Sequence, residues 1–127
     1  MKWLNNPEMQ INIPGVNAEA GLDLYDGDTE IFLFALESFV SNTPMETEKI
    51  RNVTQESLSQ YAITVHGLKS TSAAIGAEDL SEKFRILETM AKAGDLPGVL
   101  AGNGELLKDT EILVNEIKNW LLMHSVH

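Results

Sequence analysis

Cysteine is absent from the sequence, which excludes a disulfide framework and a thiolate metal centre. No run of about 18 or more apolar residues occurs, and the first residues lack the basic-then-apolar order of a signal peptide. The expected location is therefore cytoplasmic. Basic residues are scarce, with 9 Lys and Arg against 19 Asp and Glu, a formal net charge of −10. Such a surface repels phosphate backbones and anionic lipid heads, so neither nucleic acid nor direct membrane contact is expected. The chain has no Gly-rich nucleotide loop and no set of ATP-binding motifs, so it is not expected to phosphorylate itself. A Gly-x-Ser-x-Gly elbow and His-x-x-x-His or Glu-x-x-His pairs are also missing. No structural metal is expected, although His124 and His127 near the end are able to take one up adventitiously.

What is present is helical patterning on the scale of one domain. Residues 1–16 are rich in proline and asparagine and read as an arm or linker, pinned by Trp3 or Ile11. A short helical turn is expected over residues 17–25, with Asn17 as its N-cap. The first long helix starts at Asp28 or Thr29 and buries Phe32, Leu36, Phe39 and Val40. Pro44 predicts a kink or short break around residues 41–43, after which the helix resumes with Ile50 inward.

Thr54, with Ser57 or Glu56, caps the next helix, which runs to about Ile75 and stops at Gly76. Another spans residues 78–93 with Leu80, Phe84 and Leu87 inward, and breaks at Gly94–Asp95. The last helix takes Pro97 in its first turn. It repeats Leu100, Asn103, Leu106 or Leu107, Thr110, Leu113 or Val114, Ile117, and Trp120 or Leu121 at about 3.5 residues, the bundle period. Gly102 and Gly104 predict an irregular beginning, and residues 123–127 are expected to fray. Nothing reads as a strand. The expected fold is all-α: an antiparallel four-helix bundle over residues 17–122 with a short extra N-terminal helix.

The most informative stretch is VHGLKSTSAAIGA, residues 65–77. On a helix at ~100° per residue, Leu58, Tyr61, Val65, Leu68, Ser72 and Ile75 share one face. His66 falls roughly 120° from the centre of that face and is expected at the surface, with Ser59, Ala62, Ser70 and Ala73 on its side. An imidazole with an unperturbed pKa of about 6.5 is largely an uncharged nucleophile at neutral pH. Lys69, three residues on, reaches far enough to offset phosphate charge, and Ser70 is small enough to let a partner approach the ring. Phosphoryl transfer depends mostly on positioning and electrostatics, so a carrier needs little more. A lone histidine on a helix is also commonly just a solvated residue.

At this point the chain resembles the histidine phosphotransfer (HPt) domains of multistep two-component signalling. Their pattern reads roughly H-x-L-K-G-x-[SA]-x-x-x-G-[AL], and the sequence supplies His66, Leu68, Lys69, Ser72, Gly76 and Ala77. The resemblance extends over residues 17–122. It takes in the GLDLYDGD approach, a helix containing Phe39 that ends near a proline, Leu87–Glu88, and the Gly94–Asp95 break. Ser70 departs from it, standing where the family most often has glycine.

The resemblance implies a phosphorelay intermediate that is not itself an enzyme. His66 accepts a phosphoryl group on Nε2 from a receiver-domain aspartate and passes it to another receiver, and the receiver brings the magnesium. It also brings Glu88 and Lys92 near the site, as ring-orienting and charge-neutralising candidates, with two solvated helix residues as the alternative. Receiver docking is implied on the helices flanking the histidine. Ile31, Phe34 and Ala35, with Leu22 or Tyr25, are candidates for that contact, joined by Ala73; alternatively Phe34 packs on the N-terminal arm. Lys2–Trp3–Leu4 resembles the end of a receiver domain plus linker in hybrid sensor kinases, so an excised, monomeric module, tethered through such a kinase to the membrane, is one expectation. The rival functions are a helical adaptor that binds signalling partners without chemistry, and an enzyme using His66 as a general base.

Overall fold

The computed structural model describes residues 10–124, and all the regular structure among them is helical. Trp3, the Lys2–Trp3–Leu4 motif and His127 lie outside the described residues. The helices are α1 (Ala18–Asp23), α2 (Thr29–Lys49), α3 (Leu58–Ala74), α4 (Glu78–Lys92) and α5 (Leu96–His124). The starts of α1, α2, α3 and α5 follow from local chemistry. Asn17 accepts from the Ala20 amide at 3.0 Å and Asp28 from the Ile31 amide at 3.1 Å, so side-chain oxygens satisfy donors that a helix start leaves free. Thr54 and Ser57 exchange side-chain-to-amide bonds across the turn that leads into α3. Asp95 accepts from the Gly98 amide at 2.9 Å at the start of α5.

The four long helices close a ring of contacts: α2 on α3, α3 on α4, α4 on α5 and α5 on α2. The core between them holds Phe32, Leu36 and Phe39 from α2, Val65 and Leu68 from α3, Leu80, Phe84 and Leu87 from α4, and Leu106, Leu113, Ile117 and Trp120 from α5. Ile50 and Ile75 are buried as well, and from the N-terminal segment Ile13 is buried while Ile11 packs partly on the core. Lys83 and Asp109 pair at 2.8 Å between α4 and α5. No helix among the described residues is long and apolar enough to cross a membrane.

Several expectations are corrected. Pro44 does not interrupt α2, which continues through it to Lys49. A proline inside a helix forfeits one backbone bond and costs about 3 kcal/mol. Here Phe39, Thr43 and Thr47 are buried along the same helix and hold it in place on either side of the exposed proline. The buried stripe of α2 includes Leu33, while Val40 is only partly buried.

The beginning of α5 is regular rather than irregular. Gly102 lies where α5 meets α4, and a Cβ there would come 3.1 Å from the Leu87 side chain, so its small size permits close helix packing. In the same stretch Leu100 is 54% exposed, and its neighbour Val99 takes the buried position. At the other end α5 stays helical to His124, whose ring stacks on Trp120 at a centroid distance of 4.1 Å and whose Nδ1 lies 2.8 Å from the Trp120 carbonyl.

Candidate functional site

His66 lies in the middle of α3, and the burial of that helix dictates how it stands. Val65 and Leu68 are buried on either side of it in sequence, together with Leu58, Tyr61, Ser72 and Ile75, all of the predicted inward face. The His66 side chain is 58% exposed. Ser59, Ser70 and Ala73 are exposed with it, but Ala62 is buried, contrary to expectation, because the side of α3 towards α4 is covered.

The covering helix brings Glu88 to the ring. Its carboxyl is 4% exposed, yet it is saturated with donors. Oε2 lies 2.7 Å from His66 Nδ1 and 3.0 Å from Lys92 Nζ, and Oε1 lies 2.7 Å from Lys69 Nζ. Burial by itself pushes such a carboxyl up. The hydrogen bonds from Lys69, Lys92 and His66 outweigh it and hold the group down to about 2. Glu88 is therefore ionised and acceptor-only at neutral pH. A carboxylate of that kind facing Nδ1 requires the ring to donate, which puts a proton on Nδ1, so that in the neutral ring Nε2 carries the lone pair. Lys69 and Glu88 thus tie α3 to α4, a junction reinforced by Ser81, whose hydroxyl donates to the Lys69 carbonyl at 2.9 Å.

Of the residues expected around the histidine, the structure brings His66, Lys69, Glu88 and Lys92 into one cluster. The solvated-residue alternative fails for Glu88. Ser70 is exposed, but its hydroxyl donates to the His66 carbonyl at 3.2 Å, so it braces the helix backbone instead of pointing a donor outwards.

The expected docking residues divide into two groups. Ile31 is 49% exposed and Phe34 is 69% exposed, while Ala35 lines a groove of about 310 Å³ between α2 and α3 with Ser38, Asn42, Gly67, Thr71 and Ala74. Leu22 and Tyr25 instead pack partly on the core, and the Tyr25 hydroxyl donates to the Ala74 carbonyl at 2.9 Å. They support the end of α3 more than they offer surface. Sequence reasoning missed Ile63, an exposed isoleucine one turn before His66, and the groove residue Gly67 next to it. The signal was available for Ile63: at ~100° per residue it lies roughly 60° from His66 on the helix.

Among the described residues no group of three or more His, Asp and Glu side chains is placed to hold a metal ion. No family model, characterised protein or solved structure shows a significant match to the chain.

Proposed function

We propose that the chain is a histidine phosphotransfer carrier, an antiparallel four-helix bundle with an added N-terminal helix. In this reading the lone pair of His66 Nε2 attacks the phosphorus of a receiver domain's aspartyl phosphate. The acyl phosphate bond breaks, the aspartate leaves as carboxylate, and the reverse step on a second receiver delivers the group. The receiver contributes the magnesium and most of the catalysis. The carrier contributes a nucleophile on a fixed helix, and its lysines offset the incoming dianion. It has no autokinase role, acts in the cytoplasm as a monomeric domain, and in a longer protein is tethered through a sensor kinase.

One observation carries the reading. An exposed imidazole has its Nδ1 tied to an ionised carboxylate, its Nε2 free, and two ammonium groups within the same cluster. The exposed Ile31, Phe34 and Ile63, with the adjoining apolar groove, suit a partner that docks over the ring. The test is incubation with a phosphorylated receiver domain. Label should move to the chain as an acid-labile, base-stable phosphate, and His66→Gln should abolish transfer while leaving the helical fold intact. A His66→Gln variant that still relays phosphate would overturn the assignment.

The same apolar surface favours a second reading, a helical adaptor that binds signalling partners without chemistry. It predicts a complex that survives loss of His66 and no phosphate on that side chain.

A further inference from the structure

The bond between Glu88 and His66 bears on the phosphorylated state as well as the resting one. When Nε2 forms its bond to phosphorus, the ring already carries a proton on Nδ1, so the immediate product is a cationic imidazolium bearing a phosphoryl dianion. A free phosphohistidine can shed that proton and become a neutral ring whose P–N bond is long-lived. Acid lability is the same chemistry in reverse, because protonation turns the ring into a good leaving group.

At this site shedding the proton is opposed by geometry. Without it, the Nδ1 lone pair would face the Glu88 Oε2 lone pairs across 2.7 Å. The carboxylate is buried and held by Lys69 and Lys92, so it cannot swing away without breaking both of those bonds. A glutamine at this place could rotate its amide and donate to a bare Nδ1; a carboxylate cannot. Facing the ring, α4 contributes Glu88 and Lys92 and α3 contributes Lys69. The two lysines temper the negative charge of Glu88, but the new phosphoryl dianion restores it beside the ring.

Building on the carrier reading, we infer that Glu88 is a positioning residue that keeps Nδ1 protonated throughout the transfer cycle, so that the phosphohistidine is held in its labile form. Transfer then moves no proton. The Nε2 lone pair makes the bond to phosphorus on the way in and recovers the same electron pair on the way out, with neutral imidazole as the leaving group. The site favours rapid forwarding over storage of the phosphoryl group.

The experiment uses the whole chain, labelled with 15N at histidine and treated with phosphoramidate, a small donor that needs no docking partner. Attack by Nε2 on its phosphorus releases ammonia and leaves the phosphoryl group on the ring. In the phosphorylated wild type at mildly alkaline pH, His66 Nδ1 should keep the shift of an N–H nitrogen. In Glu88→Gln it should move to that of an unprotonated nitrogen, and the P–N bond should persist about tenfold longer. An unprotonated Nδ1 in the phosphorylated wild type, or an equal P–N lifetime in both proteins, would overturn the inference. If no phosphohistidine signal forms on the wild type with phosphoramidate or with a phosphorylated receiver domain, the carrier reading fails and takes the inference with it. That outcome differs from the others because the resting ring still reports its Nδ1–H tautomer.

Discussion

Tyr61 donates a 2.8 Å hydrogen bond to the Asn103 side-chain oxygen inside the core, and the Asn103 amide donates to the Ile50 carbonyl, also at 2.8 Å. The pair joins α3 and α5 to the end of α2 by polar contacts sealed from water, and burial pushes the Tyr61 phenol up, keeping it a neutral donor. Tyr61→Phe leaves the Asn103 oxygen without its partner and should cost about 1–3 kcal/mol. Urea denaturation of the two proteins measures the difference, and an unchanged midpoint would show that water satisfies the oxygen instead.

Glu88 makes stability depend on acid. Its carboxyl is held at about 2 in the folded protein against an ordinary value of 4.5. The unfolded chain therefore takes up a proton first as pH falls. The contribution is fully present above about 4.5 and disappears progressively as pH drops towards 2. Lys92 is exposed, which screens part of the effect, so the expected size is about 1–2 kcal/mol. Urea midpoints across this range should fall more steeply for the wild type than for Glu88→Gln; parallel curves would rule out the ionised cluster as their cause.

Two glycines that follow His66 in the chain should respond in opposite ways to alanine. Gly76 has φ +77°, and a Cβ there would run into the Asn17 carbonyl, so Gly76→Ala should cost about 1–3 kcal/mol. Gly67 is helical with open space around its Cβ position, so Gly67→Ala should be neutral or stabilising by up to about 1 kcal/mol. Thermal unfolding of both variants checks the contrast. A Gly67→Ala protein that unfolds earlier would contradict the open surface described for α3.

If partners dock over the exposed side of α2, Ile31→Ala and Phe34→Ala should each weaken receiver binding by about 1–2 kcal/mol, roughly 5- to 30-fold in Kd. Stability should change by less than about 0.5 kcal/mol, because neither side chain is buried. Isothermal titration and thermal melts separate the two effects. Binding that is indifferent to both residues would move the contact to another face.

Much of the helical layout was legible in the sequence because its signals are local. Asn17 caps the helix it was expected to cap, α2 begins at Thr29 within the expected start, and Gly76 stops α3 at a positive φ. Every residue of the expected inward face of α3 is buried, and Ala62 and Thr64 are buried beside them. Pro44 misled because its local penalty is outweighed by contacts that only the assembled core provides. Leu100 and Val99 exchanged roles because adjacent apolar residues satisfy nearly the same periodicity. At the site, the exposure of His66 was readable from the helical wheel. The burial of Glu88 was not, since it depends on how α4 leans against α3, and a carboxylate ordinarily reads as solvated.

The helix that presents His66 is locked on its other side by Val65, Leu68 and Ser72, none more than 2% exposed. Packing of that density resists small displacements. A large change of charge at the tip of one side chain therefore leaves the underlying architecture as it was. In the carrier reading, whatever would distinguish a loaded molecule from an empty one is written on its outer face, to be read by touch and not by a change of shape.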